Sequence, residues 1–438
     1  MPHTLADLRA GKCQGLVELQ ISEGLTEFPL EILDLEDTLE VLNLTNNKLE
    51  SLPDDFDRLK KLRIFFCSNN LFTRVPEVLG RCPKLTMFAF KSNRITELPG
   101  AALSPHLQWL ILTDNSIASL PSDIGKCKRL QKCMLAGNQL SELPASMKEC
   151  RGLELLRISA NRLEYLPDWL LELPRLSWLA YAGNPFCQSW EDEVAKRHLI
   201  SEYPWEEMKL NKKLGASGMI YDASWTRGSS TTQVAVKVFK GTMTSDGLPH
   251  SEMVACTSAG QHMNIIPIMG KIVGHPMNAD CLVMRLIDPS FRTLAGPPSF
   301  STCSRDVYKE GTTFLYPHTL KMIRGMASAA LHLHRQGIMH GDLYGHNTLY
   351  NPEGVCLLGD FGAACFFLVE EKERAEALQR LEVRSWACLM EELTQRTDMP
   401  SSASEPLREL LDRCMLEEPQ RRPLFDEIVS RLDQIASL

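Results

Sequence analysis

This chain carries the stretch His340-Gly341-Asp342-Leu343-Tyr344-Gly345-His346-Asn347, followed after a short interval by Gly359-Asp360-Phe361-Gly362. The interval holds an apolar run at 348–350, the turn sequence Asn351-Pro352-Glu353-Gly354 and a second apolar run at 355–358. Two apolar runs around a Pro/Gly turn predict a β-hairpin. Such a hairpin would hold Asp342, Asn347 and Asp360 at a fixed separation.

The two motifs resemble the catalytic loop H-R-D-L-x-x-x-N and the D-F-G motif of the protein-kinase fold. The resemblance implies that Asp342 accepts the proton of the attacking hydroxyl, and that Asn347 and Asp360 hold Mg²⁺. Phosphoryl transfer needs mainly positioning and neutralisation of charge, so a base and two metal ligands at fixed separation are the expected parts. ATP and Mg²⁺ are therefore the expected cofactors.

A lysine and a glutamate complete the implied catalytic set. Residues 233–239, Gln-Val-Ala-Val-Lys-Val-Phe, resemble the V-A-I-K strand, whose lysine pairs with the α- and β-phosphates and with a helix glutamate. Glu252 opens a helical pattern and is the expected partner of Lys237. The alternative is an ordinary lysine at the end of an edge strand, which the Val-Ala-Val-Lys context disfavours. The implied catalytic residues are Asp342, Lys237 and Glu252.

The resemblance also implies a nucleotide site. Gly215 and Gly218 match two glycines of the kinase loop G-x-G-x-x-G, where glycine lets the backbone approach phosphate oxygens. Taken alone, the two glycines would indicate only a turn. Met284 falls at the gatekeeper position before the hinge. The residues expected to contact ATP are Leu214, Gly215, Gly218, Ile220, Ala235, Lys237, Met284, Leu286, Ile287 and Leu349.

The first half of the chain is a repeat array. The frame Leu39-x-x-Leu42-x-Leu44-x-x-Asn47-x-Leu49-x-x-Leu52-Pro53 returns from Leu62, Leu85, Leu107, Leu130, Leu153 and Leu176, with a less regular copy from Leu16. This spacing is the leucine-rich-repeat signature, in about eight copies. A single copy cannot bury its leucines, so the copies must stack into a solenoid. In this family the frame asparagines are expected to satisfy backbone groups at the turns.

Apolar side chains dominate the face of the array that points away from the packed leucines. The third and fifth frame positions alternate with the leucines along each strand and would line the concave side of the solenoid. A contiguous exposed apolar patch usually marks a binding site. We therefore predict that a protein partner or substrate docks on a concave-face patch formed by Phe66, Met87, Trp109, Ile111, Met134 and Trp178. The alternative is that the second half of the chain itself covers this face.

Composition narrows the class of protein. The 438 residues suffice for two or three domains, and a 44% hydrophobic fraction is ordinary for a globular chain. The net charge of -8 and the lack of a basic tract argue against nucleic acid or anionic lipid as the main partner. Without a long apolar run or a secretory signal pattern, we expect no membrane span and a cytoplasmic location.

The fourteen cysteines are scattered and are expected to be reduced. Cys82, Cys127 and Cys150 share one frame position, which raises the alternative of a zinc or disulfide site. No second ligand lies at metal-binding spacing, so we expect buried core residues instead.

The motifs together resemble leucine-rich-repeat protein kinases that lack a transmembrane span. The expected fold class is α/β plus α+β. We expect a leucine-rich-repeat horseshoe at 1–190, a cap and linker at 191–205, and a two-lobed protein-kinase-like domain at 206–438 with a shortened activation segment.

The second half departs from the kinase pattern at several positions. Gly341 replaces the arginine that normally holds a phosphorylated activation loop, and Tyr344 replaces a basic residue. No A-P-E motif follows the D-F-G, so Arg422 lacks its usual glutamate partner. Residues 288–316 form an unassigned, turn-rich stretch. We therefore expect an enzyme that is constitutively competent or gated by the repeats, and not switched by loop phosphorylation.

Three functions fit these observations. The first is a serine/threonine protein kinase whose repeats recruit a protein substrate. The second is a small-molecule kinase of the same fold, because His-Gly-Asp-Leu resembles the aminoglycoside phosphotransferases. The third is a non-catalytic, nucleotide-binding scaffold. The intact positions Lys237, Glu252, Asp342, Asn347 and Asp360 disfavour the scaffold, and a recognition array is hard to explain in a metabolite enzyme.

Overall fold

The computed structural model describes residues 3–197, 200–214, 220–239, 243–244 and 246–437. Contacts between residues divide the chain into two compact units. The first comprises Met1–Leu176 and Asn184–Phe186, and the second comprises Ser177–Gly183 and Cys187–Leu438. Ser177–Gly183 therefore belongs to the second unit, although its sequence follows the repeat frame.

The first unit is built of short parallel strands. Helix α1 (Leu5–Arg9) precedes strands of three residues, one per repeat, and each strand pairs in parallel with the next. These strands are β1 (Glu18–Gln20), β2 (Val41–Asn43), β3 (Ile64–Phe66), β4 (Met87–Ala89), β5 (Trp109–Ile111), β6 (Lys132–Met134) and β7 (Leu155–Arg157). The chain returns through 3₁₀ turns at Leu30–Leu35, Phe56–Arg58, Glu77–Arg81, Gly100–Ala102, Ser122–Lys126, Ala145–Glu149 and Asp168–Glu172.

The frame leucines form the core of this unit. The middle residue of every strand lies on the inner face and is buried, as in Leu42, Leu110 and Leu156. Successive side chains of a strand point to opposite faces, so one frame position per repeat supplies a continuous apolar row. Parallel strands stacked in sequence order fit the predicted repeat solenoid.

Buried asparagines satisfy the backbone at the turns, as predicted. Asn138 donates from Nδ2 to the carbonyls of Leu112 and Leu135, both at 2.9 Å, and accepts from the Ile117 N–H at 3.0 Å. Asn47 and Asn161 make equivalent bonds. Since each asparagine also bonds to the preceding repeat, the ladder joins consecutive copies.

The cysteines that share one frame position, Cys82, Cys127 and Cys150, are buried and unbridged. Cys150 donates from Sγ to the Ile124 carbonyl at 3.3 Å. The prediction that these three residues belong to the core is confirmed.

A six-stranded sheet lies at the start of the second unit. Strand β8 (Trp178–Ala180) and helix α2 (Pro185–Arg197) precede it along the chain. The strands of the sheet are β9 (Ser201–Pro204), β10 (Met208–Leu214), β11 (Ile220–Arg227), β12 (Ser230–Val238), β13 (Ile268–Val273) and β14 (Cys281–Arg285). Their order across the sheet is β10-β11-β12-β14-β13-β9.

The segment 191–205, predicted as a cap and linker, contributes the edge strand β9 to this sheet. Ser201 aligns with Gly270 in a parallel pairing of β9 with β13. A Cβ at Gly270 would lie 2.1 Å from the Ser201 carbonyl oxygen, so β9 docks only because position 270 has no side chain. Tyr203 packs edge-on against Trp225, with ring centroids 4.8 Å apart. The sequence of β9 alone carries no such signal.

The rest of the second unit contains longer helices and short strands. They are α3 (Pro249–Ser258), β15 (Arg292–Thr293), α4 (Tyr316–Arg335), β16 (Ile338–Met339), β17 (Thr348–Tyr350), β18 (Cys356–Leu358), β19 (Cys365–Phe366), α5 (Lys372–Thr394), α6 (Ser401–Cys414) and α7 (Phe425–Ile435). The predicted hairpin is confirmed, because β17 and β18 pair antiparallel around the turn at 351–354.

Helices α4 and α5 form the centre of the core. Trp386 is fully buried on α5 and donates from Nε1 to the Ile323 carbonyl of α4 at 3.0 Å. Helix α5 is one continuous helix of 23 residues. Residues 372–394 contain no glycine or proline that would end the helix earlier.

None of the helices in the described part of the chain combines the length and the apolarity that a bilayer crossing demands.

The asparagine ladder should contribute measurably to stability. Asn138→Ala would leave the buried N–H of Ile117 without its acceptor, at a cost of about 1–3 kcal/mol. The carbonyls of Leu112 and Leu135 would each lose one hydrogen bond but keep another, from Asn115 and Asn161. We expect the free energy of unfolding to fall by about 2–5 kcal/mol, measured by urea denaturation with circular dichroism. Ser141→Ala, at an exposed position of the same repeat, is the control and should change little. Equal stability of both variants would contradict a structural role for the ladder.

Candidate active site

Three charged side chains meet at one end of a cleft beside the six-stranded sheet. Lys237 projects from β12 and forms an ion pair with Glu252 of α3. Its Nζ atom also lies 3.8 Å from Oδ1 of Asp360. Burial would lower the pKa of Lys237, but the charges of Glu252 and Asp360 outweigh it and raise that pKa. The lysine is therefore a fixed positive charge at the inner end of the cleft.

The loop that carries Asp342 is tied to the loop that carries Asp360. Asn347 donates from Nδ2 to Oδ2 of Asp342 at 2.7 Å and to the Asp342 carbonyl at 3.0 Å. The backbone N–H of Gly359 donates to the Asn347 carbonyl at 3.0 Å. The hydrogen bonds of Asn347 thus connect the loop that carries Asp342 to the loop that carries Asp360.

His340 reinforces the junction of these loops. Its ring is buried against Phe361, with ring centroids 4.9 Å apart. Nδ1 accepts from the Asp342 N–H at 3.3 Å, so Nε2 carries the proton that is donated to the Gly359 carbonyl at 3.0 Å. The imidazole therefore joins the backbone of Asp342 to the backbone of Gly359, the residue before Asp360.

Asp360 has a left-handed backbone conformation, with φ +57°. Aspartate tolerates this region better than most residues, and such conformations concentrate at functional sites. The Asp360 carboxylate is 59% exposed. It accepts from the Gly362 N–H at 3.4 Å and can still reach a bound cation.

A cavity of about 510 Å³ lies against these groups. Its volume suits a nucleotide-sized ligand. One end is apolar, with Ala235 and Met284, and the other end carries Lys237, Glu252 and Asp360. The structure places these predicted ATP contacts in its lining: Leu214, Ile220, Ala235, Lys237, Met284, Leu286, Ile287 and Leu349. Gly215 and Gly218 lie outside the described residues.

The donor set beside the cavity suits a magnesium ion. Mg²⁺ prefers carboxylate and carbonyl oxygens and usually takes only one or two protein ligands besides phosphates. Asp360 offers an exposed carboxylate, and the amide oxygen of Asn347 remains after its Nδ2 is used toward Asp342. The residues present therefore fit the predicted cation.

The buried side chain of Glu382 holds the backbone of the loop 340–347 that carries Asp342. Glu382 accepts from the N–H groups of His340 at 3.2 Å and Gly341 at 2.7 Å, and from Nε2 of His334 at 2.8 Å. Burial would raise the pKa of Glu382, but the hydrogen bonds from His334 and from the Gly341 N–H lower that pKa overall. No sequence pattern revealed this role of Glu382, because its partners lie 41 to 48 residues earlier in the chain.

The unassigned stretch 288–316 reaches the same loop. Asp306 accepts from the His346 N–H at 3.0 Å and bonds to His346 Nδ1 at 2.7 Å. Its neighbour Arg305 forms ion pairs with Glu391 at 2.7 Å and Glu392 at 2.8 Å on α5. Sequence reasoning missed Asp306, because no motif marks it and its partner lies far along the chain.

Arg422, which lacks the usual A-P-E glutamate, is buried among backbone carbonyls. It donates to the carbonyls of Leu416 at 2.9 Å and Arg380 at 3.2 Å. Burial lowers the pKa of Arg422 to about 10.

The predicted concave-face patch divides into two groups. Phe66, Trp109, Ile111 and Met134 are half-buried on neighbouring strands of the first unit, whereas Met87 is only 4% exposed. Trp178 is 1% exposed and stacks on Tyr344 within the second unit. Alternation along the strand predicted that Met87 and Trp178 would be exposed, and for these two residues the prediction is wrong. For Trp178, the covering ring belongs to a segment distant in sequence.

Comparison with known proteins finds one matching family model in each half of the chain. Residues 208–395 match the family model described as protein tyrosine and serine/threonine kinase, and residues 38–59 match the leucine-rich-repeat model. The chain is 27% identical over 153 residues to serine/threonine-protein kinase PITSLRE of Drosophila melanogaster, covering 34% of this chain and 15% of that protein. It is 23% identical over 277 residues to serine/threonine-protein kinase STY17 of Arabidopsis thaliana, covering 53% and 45%. The chain thus spans less than half the length of either relative.

The Glu382 carboxylate should make stability depend on acidic pH. Folding lowers the pKa of Glu382 below the value in the unfolded chain, which is about 4.3 for glutamate. The carboxylate therefore stabilises the fold above about pH 4.3, and this contribution is lost as the pH falls through the pKa of the folded state. Glu382→Gln replaces one acceptor oxygen by a donor NH₂ facing N–H groups. We expect a loss of about 3–5 kcal/mol at pH 7 and a flatter decline of stability between pH 5 and pH 3.

Urea denaturation at a series of pH values measures both effects. Glu373→Gln, an exposed carboxylate in the first turn of α5, is the matched control and should follow the wild-type curve. Parallel pH profiles for wild type and Glu382→Gln would contradict the assignment.

Proposed function

Because the chain carries a protein-kinase domain and a leucine-rich repeat, we propose that it is a serine/threonine protein kinase that transfers the γ-phosphate of ATP to a protein hydroxyl. The observation that carries the proposal is the convergence of Lys237, Glu252 and Asp360 at the charged end of the cavity. Distant similarity to serine/threonine-protein kinases supports the same reaction class.

Each group has a distinct part in the proposed reaction. Lys237, held by Glu252, would pair with the inner phosphates of ATP while the apolar lining receives the base. Asn347 and Asp360 would hold Mg²⁺, which neutralises phosphate charge when bound. Asp342 would accept the proton of the substrate hydroxyl as its oxygen bonds to the γ-phosphorus. The bond between that phosphorus and the β–γ bridging oxygen breaks, and ADP leaves.

We further propose that the half-buried part of the concave-face patch recruits the protein substrate. The sheet register aligns Phe66, Ala89, Ile111 and Met134 across four strands, with Trp109 two residues before Ile111 on its strand. Strands about 4.8 Å apart bring such side chains into contact with one another. Lys132 places its Nζ 4.5 Å from the centre of the Trp109 ring, which adds a positive charge beside the aromatic surface.

A nucleotide-binding scaffold is the second candidate function. Tyr344 stands where kinases carry a basic residue that contacts the transferring phosphate, and its ring is 4.4 Å from that of Trp178. Helix α5 begins at Lys372, and we interpret the interval 363–371 before it as the shortened activation segment. A chain that binds Mg-ATP without transferring phosphate would fit this function.

Phosphate transfer by the purified chain separates the two candidates. Asp342→Asn removes the proposed proton acceptor but not the cavity, so we expect transfer to fall by about 10²–10⁴-fold while ATP binding persists. The measurement uses radiolabelled ATP with Mg²⁺ and a serine-containing peptide. Asp398→Asn, an exposed carboxylate, controls for the change of charge and should retain activity. Thermal stabilisation by Mg-ATP with equal, negligible transfer in wild type and Asp342→Asn would favour the scaffold.

Disruption of the patch should separate recruitment from chemistry. Trp109→Asp with Ile111→Asp places two charges in the apolar rows, so we expect at least a tenfold loss of phosphorylation of protein substrates from a cell extract. Phosphorylation of the short peptide should stay within about twofold, because the peptide needs only the cleft. Ser119→Asp, exposed in the same repeat, is the control. An equal loss toward peptide and proteins, or no loss toward proteins, would contradict recruitment by this face.

A further inference from the structure

Trp178 braces the residues that follow the proposed proton acceptor. Its indole stacks on the Tyr344 ring, with centroids 4.4 Å apart and planes 5° from parallel. Its Nε1 donates to the Leu343 carbonyl at 3.2 Å. Since Leu343 and Tyr344 directly follow Asp342, Trp178 holds both backbone and side chain of the loop that presents this carboxylate.

The backbone carbonyl of Leu179, next to Trp178, lies where a side chain at position 341 would begin. Gly341 has φ +71°, a conformation that favours glycine. A Cβ at this position would lie 2.7 Å from the Leu179 carbonyl oxygen and 2.4 Å from the Ala363 carbonyl oxygen. No side chain fits at 341 while Leu179 stays in place. The glycine that replaces the usual arginine therefore permits the close approach of residues 177–183.

Tyr181 extends the brace to the residues after the D-F-G motif. Its Oη donates to the Phe366 carbonyl at 2.9 Å, and its N–H donates to Cys365 Sγ at 3.0 Å. Burial raises the pKa of Tyr181, so the hydroxyl remains a donor. Cys365–Phe366 is strand β19, which pairs with β16 immediately before His340. Tyr181 thus supports the strand pair on which the catalytic loop begins.

Glu191 connects the same region to the helix that carries Glu252. It is 2% exposed, accepts from the Gly183 N–H at 2.8 Å and accepts from the Ser251 hydroxyl at 2.8 Å. Ser251 precedes Glu252 on α3. The carboxylate therefore links the end of the segment to the position of the glutamate that pairs with Lys237.

We propose that residues 177–183, together with Glu191, form an intramolecular activating brace that positions both the catalytic loop and α3 for phosphoryl transfer. The proposal rests on the proposed kinase function. Trp178, Tyr181 and Glu191 are positioning residues in it, since they act through Asp342, β19 and Glu252. The brace replaces the support that other kinases draw from a phosphorylated activation segment, so the chain is competent without phosphorylation.

Graded variants test the brace. Trp178→Phe keeps a ring but removes the N–H, Trp178→Leu removes both, and Tyr181→Phe removes only the hydroxyl. We expect kcat to fall at least tenfold in Trp178→Leu and about threefold to tenfold in the other two, with KM for ATP within twofold. Glu191→Gln should instead raise KM for ATP, because it loosens the support of Glu252. Tyr165→Phe, at an exposed tyrosine, is the control and should keep wild-type kinetics.

A double-variant cycle separates positioning from general loss of structure. If Trp178 acts through Asp342, Trp178→Leu should lower activity at least tenfold in the wild-type background but less than twofold in the Asp342→Asn background. The same factor in both backgrounds, or unchanged kcat in Trp178→Leu, would overturn the proposal. Loss of wild-type activity after treatment with a protein phosphatase would also overturn it.

Hydrogen exchange tests the brace independently of catalytic activity. In Trp178→Leu we expect amide protection to fall at residues 340–347, and in Glu191→Gln at 249–258, while the core of α5 stays protected. If the wild type transfers no phosphate above Asp342→Asn, the kinase assignment fails, and exchange alone then decides whether the brace positions these segments. Unchanged protection in both regions would refute the brace whatever the activity.

Discussion

The fully buried carboxylate of Glu382 is the constraint on which the proposed active site depends. Its oxygens accept hydrogen bonds from His334 and from the backbone of His340 and Gly341. A charge in the protein interior is tolerated only when such donors compensate for lost hydration. Glu382 lies on α5, so this helix fixes the position of the backbone before Asp342. The same helix lies at the centre of the core.

Support for the cleft comes from several distant parts of the chain. The hairpin of β17 and β18 sets the separation of the two loops, and the Gly359 N–H joins them through the Asn347 carbonyl. Asp306 holds the loop from one side, and Trp178 holds it from another. Preorganised side chains lower the cost of orienting charge during a reaction, so redundant support of this kind suits phosphoryl transfer.

Local patterns predicted much of this arrangement, and long-range contacts account for the rest. The hairpin and the frame asparagines follow from turn residues and from the repeat spacing, which act within a few residues of the chain. The pairing of Lys237 with Glu252 followed from motif resemblance. Strand β9 was missed because its docking depends on a glycine in another strand, at position 270. Alternation assigned Trp178 to an outward face, but it could not show that Tyr344 covers that face.

The close contact at Gly341 has an evolutionary consequence. The carbonyls of Leu179 and Ala363 leave no room for even a methyl group there. A descendant of this protein cannot regain an arginine at 341 by one substitution, because the neighbouring backbone must first be displaced. Every residue carries a backbone carbonyl, so no substitution at 179 or 363 would create the missing room. The glycine at 341 is therefore held in place by the path of the neighbouring backbone and not by the identity of the neighbouring side chains.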